Sequence, residues 1–284
     1  MQHVAVLGAG TMGHGIAQVC AMAGLEVRLA DVSEAVAQRG AERIRANLDE
    51  GVKRGKIDAR AVDASMSRVN VAATMDDACA DADVIIEAVP EKMELKRDVL
   101  TRAERAAPQS ALLATNTSSF SITDMQAWLS RADRFVGLHF FNPVHINRLV
   151  EVVRGRATSD ATIEQSLELA ASIGKEAVLV NDSPGFATSR LGVLLGLEAM
   201  RMVEEGVASA ADIDKALELG YRHPMGPLKL TDLVGLDVRL DIARYLHDKL
   251  GAEHYRPPRI LVDMVAQGQL GRKSGRGFYE WPSE

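Results

Sequence analysis

A histidine and a glutamate each interrupt a strongly apolar segment of the sequence. His139 lies in Phe-Val-Gly-Leu-His-Phe-Phe-Asn-Pro (135–143), and Glu151 lies in the middle of Leu-Val-Glu-Val-Val (149–153). A buried carboxylate is costly unless a partner compensates its charge, and an imidazole can bond it through one nitrogen while the other faces a substrate. The pair therefore predicts a general base, His139, which Glu151 orients to take a proton from an alcohol.

A histidine near the end of an apolar strand is more often a hydrogen-bonded core residue than a catalytic one. The prediction for His139 therefore depends on Glu151. His145 is the rival base, but it follows Pro143 in a loop-like segment that has no obvious acidic partner. We expect His139, and not His145, to exchange the proton.

A run of short polar residues, Ala-Thr-Asn-Thr-Ser-Ser (114–119), ends another apolar strand. In an open parallel sheet, ligands bind beyond the carboxyl ends of the strands. The cluster could there offer hydroxyl and amide groups to a substrate oxygen, and Asn116 and Ser118 are also expected to contact the cofactor. The alternative is a polar turn that caps the next helix, a role for which Ser119 or Ser121 is suited.

A glycine motif follows the first strand: Gly-Ala-Gly-Thr-Met-Gly (8–13) matches G-x-G-x-x-G. The string is weak by itself, but here it follows a strand and opens a helix, which is the context that dinucleotide binding requires. The first glycine allows a tight turn, the second lets the backbone approach a pyrophosphate, and the third lets the helix pack closely on the sheet. Amides at the start of the helix would face the phosphates. The predicted cofactor contacts are Gly8, Gly10, Thr11, Met12 and Gly13.

An acid, Asp31, ends the second strand. A carboxylate at this point can accept hydrogen bonds from the adenosine ribose hydroxyls and would repel a 2′-phosphate. We therefore expect NAD, rather than NADP, as the cofactor. The structural alternative is that the glycines only build a tight turn and that Asp31 caps a loop.

These residues are positioned by strands that alternate with helices along most of the chain. Such alternation over residues 1–183 predicts a doubly wound parallel sheet of the α/β class. The predicted strands are 3–7, 27–31, 83–89, 111–116, 135–140, 149–153 and 177–180, and the predicted helices are 11–24, 33–54 and 91–106.

The pattern changes at the breaker residues Asn-Asp-Ser-Pro-Gly (181–185). No strand pattern is convincing beyond them until the extreme C-terminus. Residues 184–284 are therefore expected to form an all-α second domain. Its predicted helices are 186–205, 209–219, 227–250 and 257–267.

Composition excludes several classes of function. The 284 residues are 47% hydrophobic and 25% charged, with a net charge of -6 that offers no global basic field to nucleic acid. Cys20 and Cys79 stand in no metal-ligand or redox spacing, so no metal site is expected. No leader peptide or transmembrane stretch is recognisable, and a cytoplasmic location is expected.

Six motifs together resemble those of the L-3-hydroxyacyl-CoA dehydrogenase family, whose short stand-alone members include 3-hydroxybutyryl-CoA dehydrogenases. The resemblance spans the whole chain in order. It implies a Rossmann-type domain followed by a helical domain that mediates dimerisation, and NAD-dependent interconversion of 3-hydroxyacyl-CoA and 3-ketoacyl-CoA. The motifs are Gly-Ala-Gly-Thr-Met-Gly (8–13), Asn-Thr-Ser-Ser (116–119), Gly-Leu-His-Phe-Phe-Asn-Pro (137–143), Leu-Val-Glu-Val (149–152), Asp-Ser-Pro-Gly-Phe (182–186) and Pro-Met-Gly-Pro (224–227).

The resemblance also implies roles for single residues. His139 takes the place of the family's catalytic histidine, Glu151 that of its orienting glutamate, and Ser118 that of the serine near the substrate 3-oxygen. Asn142 is expected to help hold the substrate and the nicotinamide ring. The further implied NAD contacts are Glu91, Lys96, Asn142 and Lys273.

One position departs from the family pattern. Many members carry asparagine just before the arginine that follows the Pro-Gly-Phe turn, where this chain has Ser189. The serine hydroxyl could still donate a hydrogen bond to substrate, but its reach is shorter. It could also mark a subfamily with a different acyl preference.

Coenzyme A is an anion and would need a local basic patch. Arg43, Asn47 and Arg54 fall on one face of the helix predicted at 33–54, with Lys53 and Lys56 adjacent. The alternative is a solvated helix face with ion pairs. Because the family's CoA contacts involve this region, Asn47, Lys53 and Arg54 are the expected substrate contacts.

Three functions remain open at this point. The leading prediction is a 3-hydroxyacyl-CoA dehydrogenase with a preference for short chains, forming a homodimer. A related dehydrogenase of a free hydroxy acid would not need the basic helix. A non-catalytic dinucleotide-binding protein would not need the pairing of His139 with Glu151.

Overall fold

The computed structural model of the chain describes residues 1–282. The chain divides into two compact units, Met1–Asp182 and Ser183–Glu284. The first unit is an α/β structure and the second is helical. The predicted fold class is therefore confirmed.

One eight-stranded sheet forms the first unit, in the order β3-β2-β1-β4-β5-β6-β7-β8. All neighbouring strands are parallel except β6 and β7, an antiparallel pair that the sequence analysis did not anticipate. The segment 141–148 that joins them is too short for the crossover that a parallel pair needs. The strands are β1 (His3–Leu7), β2 (Glu26–Ala30), β3 (Val69–Val71), β4 (Val84–Glu87), β5 (Leu112–Thr115), β6 (Phe135–Phe140), β7 (Leu149–Arg154) and β8 (Glu176–Asn181).

Seven α-helices accompany the sheet. Of the elements in this unit, α3, α4, α6, α7 and the three-residue strand β3 were not among those predicted. Ser121 caps α6 by accepting a hydrogen bond from Asp124 N at 3.1 Å, which confirms the structural role expected for Ser119 or Ser121. The helices are α1 (Gly13–Met22), α2 (Glu34–Lys53), α3 (Ala59–Met66), α4 (Met75–Cys79), α5 (Met93–Ala106), α6 (Ile122–Gln126) and α7 (Asp160–Ser172).

The second unit packs its helices around a separate apolar core. The single helix predicted at 227–250 is wrong, because Gly235 adopts φ +107° and splits it in two. Such a backbone conformation is incompatible with a continuing right-handed helix. The helices are α8 (Thr188–Glu204), α9 (Ala210–Gly220), α10 (Pro227–Val234), α11 (Leu236–Leu250) and α12 (Arg259–Ala266).

Strand register brings the functional segments of the first unit to one edge of the sheet. Leu7 of β1 lies beside Ala30 of β2 and Glu87 of β4, and Glu87 lies beside Thr115 of β5. The residues that follow these strand ends therefore lie next to one another, at the edge where ligands bind in open α/β sheets.

The central strands are continuous apolar runs because they are buried on both faces. Every residue of β4, β5 and β6 is buried. Glu87, Thr115 and His139 are the polar side chains within them, and each stands at or near a carboxyl end. Within residues 1–282, no helix combines the length and the apolar character needed to cross a membrane.

Candidate functional site

The glycine motif has the geometry that close backbone approach requires. Gly8 adopts φ +105°, and a Cβ there would lie 2.7 Å from Ala88 O; a Cβ on Gly13 would lie only 1.6 Å from Gly8 O. At Gly10, by contrast, a Cβ would meet no atom within 4 Å. Gly8 and Gly13 are therefore required by the protein's own packing, whereas the space beside Gly10 is open to a ligand. This division of roles fits a dinucleotide pyrophosphate.

Asp31 closes the turn that carries the glycines. Its Oδ2 accepts a hydrogen bond from Ala9 N at 2.6 Å, and its Oδ1 accepts one from Val32 N at 2.7 Å. These bonds hold the carboxylate at the carboxyl end of β2. Since each carboxylate oxygen has a second lone pair, Asp31 retains the capacity to accept from ribose hydroxyls.

A cleft of about 1000 Å³ runs along this edge of the first unit. Its wall includes Gly10 and Asp31 at one part and Asn116, Ser118 and His139 at another. The cleft thus brings together the two groups of residues that were predicted separately, the dinucleotide motif and the polar residues of β5 and β6. Its other lining residues are Leu7, Gly8, Thr11, Met12, Ala30, Val32, Ala73, Thr74, Met75, Ala88, Val89, Pro90, Glu91, Leu95, Val99, Arg102 and Phe140.

His139 and Glu151 face each other across the antiparallel β6–β7 pair. Nδ1 of His139 lies 2.7 Å from Oε2 of Glu151, and the side chain of Glu151 is fully buried. A carboxylate only accepts hydrogen bonds, so Nδ1 carries the proton and Nε2 of the neutral ring is the basic nitrogen. His139 is 7% exposed and lines the cleft. The arrangement can act as an oriented general base.

Asn116 connects β5 to the histidine strand. Its Oδ1 accepts a hydrogen bond from Phe140 N at 2.8 Å, one residue after His139. The aromatic ring of Phe141 lies 4.3 Å from the imidazole, centroid to centroid, at a tilt of 50°. The hydrogen bond holds the backbone next to His139, and the ring of Phe141 packs against the imidazole.

Glu91 positions the segment that carries Ser118. Its Oε1 accepts hydrogen bonds from the hydroxyl of Thr117 at 2.5 Å and from Ser118 N at 3.1 Å. Glu91 and Ser118 both line the cleft. The predicted cofactor contact at Glu91 therefore also orders the predicted substrate contact at Ser118.

Lys96, the other contact predicted on this segment, lies beneath the cleft and not in its wall. Its side chain has no exposed surface; Nζ lies 2.8 Å from Glu87 Oε1 and 3.2 Å from Glu91 Oε2. Lys96 thus contacts Glu91, which lines the cleft, and its own contact with a cofactor stays a prediction.

Glu87 is a member of the site that sequence reasoning missed. It is fully buried and accepts hydrogen bonds from Thr115 Oγ1 at 2.5 Å and from Val89 N at 2.7 Å, besides those from Lys96. Burial raises the pKa of this carboxyl, and the ammonium of Lys96 opposes that shift. The signal that could have identified Glu87 is an acidic residue at the end of a buried apolar strand. The same reasoning had identified Glu151, which interrupts another apolar strand.

A second buried lysine fixes the loop between β6 and β7. Lys175 donates hydrogen bonds to the carbonyls of Val144 and, at 2.6 Å, Asn147. Burial lowers the pKa of Lys175. Asn142 lies in the same loop; it is exposed and does not line the cleft.

The rival base belongs to this loop as well. His145 is half-buried and lies outside the cleft wall, and burial, together with the charges of His14 and Lys175, lowers its pKa. His14 lies at the start of α1, where Nδ1 contacts Gly10 O at 2.7 Å. Cys20 and Cys79 are buried free thiols whose pKa burial raises to about 12.

The predicted CoA contacts lie on α2 and just after it, away from the cleft wall. Asn47 is half-buried and donates to Gln18 Oε1 at 3.1 Å. Lys53 and Arg54 are exposed, and Arg54 forms an exposed ion pair with Glu50 at 2.7 Å. No group of three or more potential metal ligands forms among the described residues.

Two predicted contacts belong to the second unit. Ser189 lies in the first turn of α8 and is half-buried. Lys273 forms an ion pair with Asp237 of α11 at 2.5 Å. Burial raises the pKa of Asp237, but the lysine and backbone N–H groups together lower it by more.

Comparison with known proteins gives a consistent result over the whole chain. The family model described as 3-hydroxyacyl-CoA dehydrogenase, NAD binding domain, matches residues 3–183, and the model of the C-terminal domain matches residues 185–281. The 3-hydroxybutyryl-CoA dehydrogenase of Bradyrhizobium diazoefficiens is 42% identical over 281 residues, 99% of this chain and 96% of that protein.

Two further comparisons extend this result. The crystal structure of (S)-3-hydroxybutyryl-CoA dehydrogenase PaaH1 from Ralstonia eutropha has a TM-score of 0.96 at 40% identity and covers 100% of both chains. The 3-hydroxyadipyl-CoA dehydrogenase of Escherichia coli (strain K12) is 41% identical over 285 residues, 100% of this chain and 60% of that protein.

Proposed function

The chain belongs to the 3-hydroxyacyl-CoA dehydrogenase family, and we propose that it interconverts a short-chain 3-hydroxyacyl-CoA and the corresponding 3-oxoacyl-CoA. NAD is the cofactor. The observation that carries the proposal is the contact of His139 Nδ1 with Glu151 Oε2 at 2.7 Å, at the wall of a cleft that also contains the glycine motif.

NAD, when bound, supplies the nicotinamide carbon that takes a hydride from, or returns it to, C3 of the substrate. His139 supplies the proton chemistry. In the oxidative direction Nε2 accepts the proton of the 3-hydroxyl group as the C3 hydrogen leaves; in the reductive direction the imidazolium returns it. Help of this kind is worth about 10²–10⁴ in rate.

Glu151 acts through the imidazole. Its carboxylate keeps the proton on Nδ1, so that Nε2 presents a lone pair to the substrate. After proton transfer the same carboxylate stabilises the imidazolium, because opposite charges attract strongly in a fully buried environment.

Ser118 and Asn142 complete the proposed substrate contacts. The hydroxyl of Ser118 is proposed to donate a hydrogen bond to the substrate 3-oxygen, where charge develops during hydride transfer. Its backbone bond to Glu91 supports this role, since a donor that is already positioned need not reorganise. Asn142 is proposed to hold the ring of the cofactor, and Ser189 to contact the substrate.

The same cleft offers the groups that would hold the cofactor. Open space at Gly10 and amides at the start of α1 suit the pyrophosphate, and Asp31 suits the adenosine ribose. Thr11, Met12, Glu91 and Asn116 also line the cleft, whereas Lys96 supports Glu91 from beneath. Lys273, of the second unit, is proposed as a further contact.

The coenzyme A portion is assigned to the end of α2. Lys53 and Arg54 are exposed cations there, and Asn47 lies two helical turns earlier. Exposed ion pairs such as Arg54–Glu50 contribute little to stability, so these side chains remain available to a phosphoryl group.

Assembly and location are proposed on further grounds. Helices α8, α9 and α10 of the second unit expose large apolar side chains, which a second copy would cover in a homodimer. Two free buried thiols suit the reducing cytoplasm. The substrate class points to fatty acid metabolism. The exposed apolar side chains of the second unit, which we propose for the dimer contact, include those of Leu191, Leu195, Leu219, Tyr221 and Leu230.

The test is NADH consumption, followed by absorbance, with acetoacetyl-CoA and with free acetoacetate as acceptors. We expect rapid oxidation of NADH with the thioester and little with the free acid. Equal rates would instead indicate a dehydrogenase of free hydroxy acids. Absence of turnover with a panel of 3-oxoacyl-CoA lengths would leave only a dinucleotide-binding protein. The same panel measures the preference for short chains.

A further inference from the structure

The side chain of Asn116 has an orientation that hydrogen bonding fixes. The backbone N–H of Phe140 points at its amide group, with 2.8 Å between the bonded atoms, and a backbone N–H can only donate. The atom that it meets must therefore be the amide oxygen Oδ1, since Nδ2 has no acceptor capacity. The protein thus engages the oxygen of this side chain, and Nδ2 is the atom left for another partner.

The donor Nδ2 faces open space at the cleft. It makes no hydrogen bond within residues 1–282, and it is not enclosed in the interior of the half-buried Asn116 side chain. Asn116 lines the cleft together with Ser118 and His139. A few polar groups that converge on a cleft are what orients a bound ligand, so Nδ2 is available to a ligand oxygen.

Asn116 is held from two sides at this point. Its backbone N donates a hydrogen bond to Glu87 O, at the end of β4, at 2.8 Å, while its side chain accepts from Phe140 of β6. Asn116 therefore joins the carboxyl ends of β4 and β6 from its own place just after β5. A donor that is positioned in advance need not reorganise when charge develops on its acceptor.

The position of Asn116 relates it to the substrate atom that meets the base. The peptide group that donates to Oδ1 joins His139 to Phe140, and Ser118 follows Asn116 by two residues. In the proposed function, both His139 and Ser118 contact the substrate 3-oxygen. This oxygen can accept a hydrogen bond in its oxo and its hydroxy form, and Nδ2 can only donate.

We propose that Asn116 is a further catalytic residue, whose Nδ2 donates a hydrogen bond to the substrate 3-oxygen beside that of Ser118. This inference rests on the proposed function. In the reductive direction the double bond between C3 and oxygen opens as hydride adds to C3, and negative charge grows on the oxygen until the imidazolium of His139 supplies a proton. Nδ2 keeps both of its hydrogens and stabilises that charge by hydrogen bonding alone.

The substitution Asn116→Asp separates this role from the structural one. Aspartate has almost the same shape and can still accept the hydrogen bond from Phe140 N, but it replaces Nδ2 by a second acceptor oxygen. NADH oxidation with acetoacetyl-CoA gives kcat, and fluorescence titration gives the affinity for NADH. We expect kcat to fall by about 10²–10³, the effect of losing one oxyanion donor. The affinity for NADH should stay near the wild-type value.

A matched control is Asn147→Asp, which adds the same charge in the loop between β6 and β7. Oδ1 of Asn147 also accepts a hydrogen bond from a backbone N–H, that of Leu149 at 3.2 Å, and Asn147 lies outside the cleft wall. Aspartate can accept the same bond. This variant should keep kcat near the wild-type value.

Two further measurements locate the contact. Butyryl-CoA lacks the 3-oxygen, so its inhibition constant against acetoacetyl-CoA should be nearly the same for Asn116→Asp and the wild type. If Asn116→Asp does not fold, Asn116→Ser replaces it, because a serine hydroxyl is too short to bond Phe140 N and the substrate together. We then expect kcat to fall by about tenfold or more, the worth of one hydrogen bond.

Near-wild-type kcat in the Asn116 variant overturns the inference. So does a loss of NADH affinity with kcat intact, which would make Asn116 a contact of the cofactor only. An equal loss of kcat in Asn147→Asp, or an inhibition constant of butyryl-CoA that rises as far as kcat falls, also overturns it. In these cases turnover of acetoacetyl-CoA by the wild type preserves the proposed function. Absence of wild-type turnover with every thioester instead sinks the proposed function.

Discussion

Nδ1 of His139 and Oε2 of Glu151 are 2.7 Å apart because the two residues are direct cross-strand neighbours in the one antiparallel pair of the sheet. Side chains of directly opposed residues on neighbouring strands project to the same face of a sheet. The reversal of direction between β6 and β7 therefore sets the contact of acid and base. The β6–β7 loop, held by Lys175, is what allows that reversal.

Replacing the base tests this arrangement most directly. His139→Gln should lower kcat by about 10²–10⁴ with NADH binding nearly intact, because glutamine cannot exchange the proton. Glu151→Gln should cost less, since it removes orientation and charge but leaves the base. Rates come from NADH absorbance and affinity from fluorescence titration. Near-wild-type turnover of His139→Gln would refute the mechanism.

Asp31 should determine the choice between the two nicotinamide cofactors. The wild-type enzyme should use NADH far better than NADPH, because the carboxylate repels a 2′-phosphate. Asp31→Ser should reduce that ratio of kcat/KM by about tenfold or more, through loss of ribose hydrogen bonds and of repulsion. Equal use of both cofactors by the wild type would contradict the assignment.

Two glycines of the same motif should behave differently when changed to alanine. Gly13→Ala should lower the free energy of unfolding by about 3 kcal/mol or more, because its methyl group would overlap the backbone at Gly8. Gly10→Ala should change stability by less than about 1 kcal/mol but raise the KM for NADH. Urea denaturation and steady-state kinetics separate the two effects. Similar stability losses in both variants would argue against an open site at Gly10.

The stability of the protein should depend on both members of the buried pair beneath the cleft, Glu87 and Lys96. Lys96→Met should destabilise the protein by about 3–5 kcal/mol, because Glu87 would remain buried without its counterion. The double variant Glu87→Gln/Lys96→Met should recover part of this loss. Urea denaturation measures both. If the double variant were no more stable than Lys96→Met, the uncompensated charge of Glu87 would not be the cause of the stability loss.

The loss in Lys96→Met should also depend on pH. Burial raises the pKa of Glu87 above its ordinary 4.5, and removal of the ammonium leaves this effect unopposed. A carboxyl with a raised folded-state pKa contributes stability at low pH that is lost as the pH rises through that pKa. The destabilisation relative to wild type should therefore be smaller at pH 5 than at pH 8.

The basic residues at the end of α2 should affect the binding of acyl-CoA and not that of NADH. Lys53→Ala/Arg54→Ala should raise the KM for acyl-CoA about tenfold and leave the KM for NADH nearly unchanged. The matched control Arg97→Ala/Arg105→Ala removes the same charge from exposed positions of α5. It should leave both constants near wild type. If both double variants raised the KM for acyl-CoA equally, the effect would come from the net charge of the protein and not from a binding patch at Lys53 and Arg54.

Local patterns were sufficient for much of the site. The glycine spacing, the acid that ends β2 and the isolated glutamate of β7 each predict a role from residue type and neighbours alone. The alternation of strands and helices predicted the fold class, because burial on both faces leaves long apolar runs. Gly235 shows where such patterns fail. Apolar residues recur at helical spacing on both sides of it, yet its positive φ ends the helix.

What the sequence by itself determined was the fold class, most of the long strands and helices, the glycine motif and several of the polar residues at or near strand ends. Tertiary structure alone decided that Lys96 is buried against Glu87, that Lys175 holds the β6–β7 loop, and that Arg239 lies beside Gly192. The physical reason is that burial and charge pairing join residues far apart in the chain. Periodicity and spacing describe near neighbours, so a distant pair such as His139 and Glu151 could be inferred only from the cost of a buried charge, and the other pairs were not inferred.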